Sequence, residues 1–323
     1  MGDALAHLPR AVRVRVPASS ANLGPGFDSL GLALAWYDEV EVQLLERRSA
    51  DAAAATLTVI GCGAESVGDP ASNLVVRTLQ QTLATVGMPA TPLSVTCRNA
   101  IPQGRGLGSS AAAIVSGVAA AYALADPSTP PDLARILDTA ATIEGHADNV
   151  AACVLGGFTI AWRGEAPVAP AGGVHDRGRW HAMRLDPWPD LAPIVLVPAH
   201  EASTSIARAG LPATVTHADA AATAGRSALL VAALTQRPDL LQPATQDWLH
   251  QEFRGAALRE TSDLIATLRS DGLPAVFSGS GPSVLVLHDP DRASARHMPA
   301  GWVMHPIELD RDGVLVDSGP PGT

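Results

Sequence analysis

The chain has 323 residues, a formal net charge of −10 and no lysine, its 22 Lys+Arg positions all being arginine. The negative balance argues against a nucleic-acid partner, whose phosphates it would repel. The missing lysine excludes a Walker-type P-loop NTPase, a protein kinase and Schiff-base or pyridoxal chemistry, all of which need one.

The length is more comfortable as two domains than as one. Cys62, Cys97 and Cys153 stand far apart with no CxxC, so neither a disulfide framework nor a zinc site is expected, and a reducing cytoplasm fits. Residues 1–10 lack an apolar core long enough for a signal peptide. The Ala-, Gly- and Ser-rich run 111–125 is too short for a membrane span and reads as a buried helix.

Residues 1–9 are expected to be a frayed end. Arg13–Val16 alternates charged and apolar residues, the mark of a strand with one buried face, and Pro17 is expected to end it. A glycine- and proline-bearing loop follows through residue 34 and holds Asn22 and Asp28; taken locally, Asp28 reads equally well as a turn former. Strands are expected at 37–45 and 56–60, a helix at 73–86, a strand at 93–98, a helix at 111–125 and another at 133–143. Residues 144–162 read as a turn and a strand. From 163 to 189 the composition turns to Gly, Pro, His, Arg and Trp without period, and the domain boundary is placed there, dividing residues 10–167 from 168–312. Beyond it come a buried strand at 193–198, a short capped helix at 203–211, a long Ala-rich helix at 218–234, one or two helices within 246–268, and a strand–glycine turn–strand unit at 274–287. One more helix or strand is expected before about residue 310, and the tail from 318 is read as disordered.

The stretch Pro102-Gln-Gly104-Arg105-Gly106-Leu107-Gly108-Ser109-Ser110 lies between the strand at 93–98 and the helix at 111–125. Gly104, Gly106 and Gly108 allow positive φ and close backbone approach, and a helix N-terminus presents unpaired N–H groups with the positive end of its dipole. Strand, glycine loop and helix make a phosphate cradle the favoured reading over a tight turn, with a serine hydroxyl left for a metal. A nucleotide in so acidic a chain would call for Mg²⁺.

Three segments in this order, Asn22 to Asp28, Pro102 to Ala113 and Ser278 to Pro282, resemble the signature motifs of the GHMP kinases, small-molecule kinases that lack a Walker loop. The first, within Pro17-Ala-Ser-Ser-Ala-Asn-Leu-Gly-Pro-Gly-Phe-Asp-Ser-Leu-Gly-Leu-Ala-Leu, is the most specific and looks like the branch whose substrate is L-homoserine. Glu144–Val150, Ser203–Pro212 and Asp247–Arg254 are similar to that branch too, so the resemblance runs from about Ala11 to Val286. It implies an α+β, two-domain GHMP kinase fold, with an N-terminal domain like ribosomal protein S5 domain 2 and a ferredoxin-like C-terminal domain. It implies ATP-dependent phosphorylation of L-homoserine to O-phospho-L-homoserine in threonine biosynthesis, in the cytoplasm, without nucleic-acid or membrane partners, and it admits a homodimer. Another small-molecule kinase of the superfamily and an inactive, ligand-binding GHMP-fold protein stay open at this point.

By the same resemblance ATP would lie on Pro102, Gly104, Arg105, Gly106, Leu107, Gly108, Ser109, Ser110, Ala111 and Ala112. Ser110 and Glu144 would be the Mg²⁺ ligands, with Asp138 as the rival carboxylate. Asn22, Asp28, His146, Arg208 and Arg254 would hold the amino acid, the two arginines on its carboxylate. Glu144, His146 and Asn149 would form the catalytic set. Where other branches place an aspartate base this chain has Asn149, which accepts no proton usefully, so positioning and electrostatics rather than base catalysis are expected to supply the rate.

Overall fold

The computed structural model describes residues 11–45, 55–88, 90–165, 178–202 and 210–318. Strand β1 (Ala11–Ala21) buries Val12, Val14 and Val16 on one face, as the alternation predicts. Pro17 does not end it. The register against β2 (Leu30–Leu44) jumps at this point, Pro17 facing Tyr37 and Ala18 facing Leu34, and such an irregularity tolerates a residue with no N–H to donate. The strand therefore carries Ser19, Ser20 and Ala21 onward in extended form, and the expected long loop shrinks to the turn between β1 and β2.

Then follow β3 (Ala55–Gly61), α1 (Leu74–Thr85), β4 (Leu93–Asn99), α2 (Ser109–Ala125), α3 (Leu133–Glu144), α4 (Asp148–Leu155), β5 (Phe158–Arg163) and β6 (Trp180–Leu185). The Asn73 side chain caps α1 by accepting the N–H groups of Val75 and Val76. Helix α2 is buried on nearly every side, which its small residues allow by close packing on α1 and β1. Helix α4 is a correction: its stretch was read as part of a turn, because five consecutive buried residues, Val150 to Val154, show no amphipathic period. These elements surround one sheet in the order β11-β1-β2-β4-β3, where β11 is Leu315–Asp317, with β5 on β2 and β6 on β5; β3 and β4 run parallel and the other pairs antiparallel.

The rest of the described chain forms β7 (Ile194–Pro198), α5 (His217–Thr235), α6 (Leu241–Ala244), α7 (Gln251–Ala257), α8 (Arg259–Ser270), β8 (Ala275–Phe277), β9 (Val284–Val286), β10 (Trp302–Pro306) and β11 (Leu315–Asp317). A second, antiparallel sheet has the order β10-β7-β9-β8. Helix α8 lays Leu264, Ile265 and Leu268 against Phe277, Ile194 and Trp302 of this sheet, each such burial contributing about 1.5–3 kcal/mol. The other face, with Val195, Val276 and Leu285, joins the larger core. The expected boundary at 167/168 lies outside the described residues. Beyond it β6 still belongs to the first sheet, and β11 returns to β1. The expected short helix at 203–211 falls almost wholly outside the described residues. Among the described residues no helix is long and apolar enough to cross a membrane.

Candidate active site

The glycine loop leaves β4 and enters α2, and it is the floor of the site. Gly104, Gly106 and Gly108 have φ of 63°, 73° and 70°. Gly108 is the N-cap of α2 and no side chain caps that end, so first-turn N–H groups of the helix remain for a ligand. The Ser278–Pro282 turn, whose sequence allowed either a plain hairpin or close approach, lies on the loop: Ser278 Oγ donates to the Gly106 carbonyl at 2.7 Å, and the Ser283 N–H reaches the Arg105 carbonyl at 3.3 Å. From the other side the Ala202 N–H donates to the Gly104 carbonyl at 3.0 Å. Arg105 donates from Nη2 to the Ala199 carbonyl at 2.6 Å and stands 3.5 Å from the Glu201 carboxylate.

The turn after β1 forms one wall. Asn22 donates from Nδ2 to the Gly279 carbonyl at 2.9 Å, and its Oδ1 accepts the Asp28 N–H at 3.0 Å. Asn22 and Asp28 have φ of 67° and 55°, a conformation that Asn and Asp tolerate better than other residues with a side chain. From α7, the buried Arg254 donates from Nη1 to the same Gly279 carbonyl at 2.6 Å and lies 5.5 Å from the Phe27 ring centre. A cation and a carboxylate thus line one cavity, Arg254 and Asp28. Arg208 lies outside the described residues.

The opposite wall comes from the ends of α3 and α4. Ser110 Oγ donates to Glu144 Oε2 at 2.9 Å. Asp138, the rival carboxylate, accepts the Trp180 N–H at 2.9 Å and stands 3.9 Å from Arg179 Nε, so it anchors the start of β6 and is absent from the cavity lining. His146 Nδ1 is 3.0 Å from Asp148 Oδ1, which also accepts the Asn149 N–H at 2.7 Å. That hydrogen bond, aided by the charges of Asp148, Glu144 and Asp28, raises the histidine pKa above its ordinary 6.5 against the opposing effect of burial. Asn149 Oδ1 accepts the Ser19 hydroxyl at 3.0 Å.

The cavity between these walls has a volume of about 300 Å³, and its lining includes Asn22, Asp28, Pro102, Gly104 to Ser110, Glu144, His146, Asn149 and Arg254. Ala111 and Ala112 are buried in the first turn of α2 and line neither this space nor its neighbour. The Ala112 N–H is already used by the Gly108 carbonyl. A second cavity of about 350 Å³ shares Gly104, Ser109 and Ser110 and extends past Asn73, Asn99 and Asp38. Two larger ones, about 480 Å³ beside Tyr122 and about 520 Å³ beside Trp188, hold none of the motif residues. Sequence reading did not single out Ser19, Asp38, Asp148, Gly279 or Ser280. Ser19, Asp148, Gly279 and Ser280 all stand inside the motif segments named above and could have been found there. Asp38 carried no signal.

Burial pushes the Asp38 carboxyl from 3.8 up to about 6, although its Oδ1 accepts the N–H groups of Ala100 and Ile101 at 2.7 and 2.9 Å. Between those two values the folded chain holds a proton that the unfolded chain has released, so stability falls as pH rises from 3.8 to 6 and is flat above. Asp38→Asn keeps an acceptor and cannot titrate. In urea melts its stability relative to the parent protein is expected to climb between pH 4 and 6 and then level off; a constant difference would show that Asp38 titrates normally.

Residues 73–157 match the family described as "GHMP kinases N terminal domain". The homoserine kinase of Streptomyces coelicolor is 46% identical over 309 residues, covering 95% of this chain and 94% of that one. The homoserine kinase of Leifsonia xyli is 46% identical over 314 residues, covering 95% and 92%. Among solved structures, the homoserine kinase of Cytophaga hutchinsonii superposes with a TM-score of 0.77 at 26% identity, covering 95% of this chain and 98% of that one. Mevalonate diphosphate decarboxylase of Staphylococcus aureus shares the fold at a TM-score of 0.64 and 14% identity, covering 95% and 98%.

Proposed function

The chain belongs to the homoserine kinases of the GHMP kinase superfamily, and on that premise we propose how its cavity carries the reaction. It is an ATP-dependent kinase that converts L-homoserine to O-phospho-L-homoserine in threonine biosynthesis. The observation that supports the assignment of residues is the convergence in one cavity of the glycine loop, the Ser110–Glu144 pair and the Asp28–Arg254 pair.

The triphosphate lies on the N–H groups of the loop and the open end of α2, and the second cavity takes the nucleoside. Ser110 and Glu144 are hard oxygen donors 2.9 Å apart at the edge of the loop, a set that fits Mg²⁺ bound by one carboxylate, one hydroxyl and the phosphates. Mg²⁺, when bound there, supplies neutralisation of the charge on the phosphate oxygens. Asp28 receives the ammonium of homoserine and Arg254 its carboxylate, with Arg208 assigned alongside it, so the side-chain hydroxyl projects toward His146 and Asn149. The bond from the γ-phosphorus to the β-phosphate bridge breaks, releasing ADP, as the bond to the homoserine oxygen forms, and the hydroxyl proton leaves late, to an oxygen of the transferred phosphoryl group and then to solvent. Because that transition state is loose, it needs alignment and charge stabilisation more than a base. Asn149, held by Ser19, can donate from Nδ2 to oxygen, while His146, its pKa raised by the bond to Asp148, takes up positive charge more readily than a free histidine beside the transferred group.

An ADP-release assay across homoserine, threonine, serine and mevalonate tests the reading, with homoserine expected to give by far the highest kcat/KM. A preference for mevalonate would overturn the amino-acid site. For the metal pair, Ser110→Ala and Glu144→Gln are each expected to lower kcat by about two decades and raise the Mg²⁺ concentration needed for half-maximal rate, as loss of a directly placed group does. Asp138→Asn should leave both within about twofold; the reverse pattern would move the ligand to Asp138.

A further inference from the structure

His250 lies within the Asp247–Arg254 motif segment but has no role assigned there, yet it is fully buried where α7 meets the turn after β1. Its Nε2 lies 2.6 Å from the Gly24 carbonyl, and its ring stacks on Phe27 at 5.2 Å between centres and 29° between planes. Phe27 is the residue before Asp28, and Arg254, one helical turn after His250, lies over the same ring at 5.5 Å. The segment holding His250 is itself rigid: the Asp247 carboxylate accepts the N–H groups of Leu249, His250 and Gln251 at 2.9, 3.0 and 2.8 Å.

A carbonyl can only accept, so Nε2 must carry the proton it donates to Gly24. Nδ1 makes no hydrogen bond among the described residues, so a second proton there would be buried without a partner. Burial accordingly depresses the pKa to about 4, with Arg254 adding to the effect and Asp247 opposing it, and the ring stays neutral at working pH. The mechanism uses His250 for nothing: it lines neither the cavity nor its neighbour.

We propose that His250 is a positioning residue of the homoserine subsite, holding residues 24–28 through the Gly24 carbonyl and the Phe27 ring so that the Asp28 carboxylate faces the substrate ammonium. The inference rests on the reading of Asp28 given above. It separates the two substrates, because among the described residues the polar and ring contacts of His250 run to Gly24, Phe27 and Asp247 and none to the glycine loop.

Three variants test it. His250→Phe keeps a ring against Phe27 and removes the donor to Gly24. His250→Gln can place an amide N–H near the Nε2 position and removes the stack. Phe27→Leu removes the stack from the other side and serves if His250→Phe does not fold. His250→Phe and Phe27→Leu are each expected to raise the KM for homoserine about tenfold or more, with the KM for ATP, and ATP affinity measured by calorimetry without homoserine, within about twofold. His250→Gln should recover part of that loss. An unchanged KM for homoserine, or equal rises for both substrates, would overturn the proposal. Asp28→Asn separates the two levels: if it leaves homoserine use intact the subsite reading fails, whereas if it cripples homoserine use while the His250 and Phe27 variants do not, only the positioning inference falls.

Discussion

Gly106→Ala is expected to abolish useful turnover while Gly104→Ala keeps a readily measured part of it. A methyl group on Gly106 would stand 2.2 Å from the Ser278 carbonyl oxygen and 2.7 Å from that of Gly281, and both are backbone atoms of a turn that cannot swing aside. The residue also has φ of 73°, where a side chain costs roughly 1–2 kcal/mol before any clash. Relief requires the loop and the Ser278–Pro282 turn to separate by about an ångström, and misplacement on that scale costs about two decades in rate. Gly104 has a similar φ of 63°, but the nearest atoms its methyl would meet belong to the side chain of Glu201, at 3.2 Å, and that side chain is exposed. Backbone strain alone should cost Gly104→Ala about five- to thirtyfold. Steady-state kcat and KM for ATP, with melting curves to confirm that both variants fold, decide the matter. Equal losses in the two variants would mean that φ and not the packed turn governs the loop, and near-normal turnover in Gly106→Ala would remove the loop from the nucleotide site.

What could be read from the sequence was what is encoded locally. Alternation in Arg13–Val16, the helical period of 73–86 and the glycine loop between strand and helix each depend on a few neighbouring residues, and each stands where expected. The family motifs supplied the order of the parts, and with it the α+β class and two-domain fold that the solved relatives share. Helix α4 was hidden because a helix buried all round has no polar face to mark its period. Asp38 was hidden because it is held by the N–H groups of Ala100 and Ile101, more than sixty positions away in the chain, and an isolated aspartate on a strand looks like any other. The meeting of Ser278 with Ser20, 258 positions apart, has no local trace at all. Pro17 misled for a different reason, since a proline stops a regular strand but is welcome at a shift of register.

Arg254→Leu is expected to lower kcat/KM for homoserine by about two to four decades with the KM for ATP nearly unchanged. Homoserine brings a carboxylate into a cavity whose described lining includes Arg254, and burying that charge without its counter-ion costs about 3–5 kcal/mol. The substitution need not dismantle the wall. Gly279 O, which Arg254 Nη1 reaches at 2.6 Å, also accepts from Asn22 Nδ2 at 2.9 Å, so the carbonyl keeps a donor when the guanidinium is gone. Arg254→Lys should fall between the parent and the leucine variant, because lysine restores a charge but not the planar fork that pairs with a carboxylate through two N–H groups. The decisive comparison uses an amino alcohol that lacks the carboxylate: it should be a poor substrate for the parent enzyme and lose little further activity in Arg254→Leu. If homoserine and the amino alcohol fall by the same factor, or if ATP affinity falls with them, Arg254 supports the Gly279 turn or the nucleotide rather than the substrate carboxylate, and the amino-acid wall must be assigned afresh.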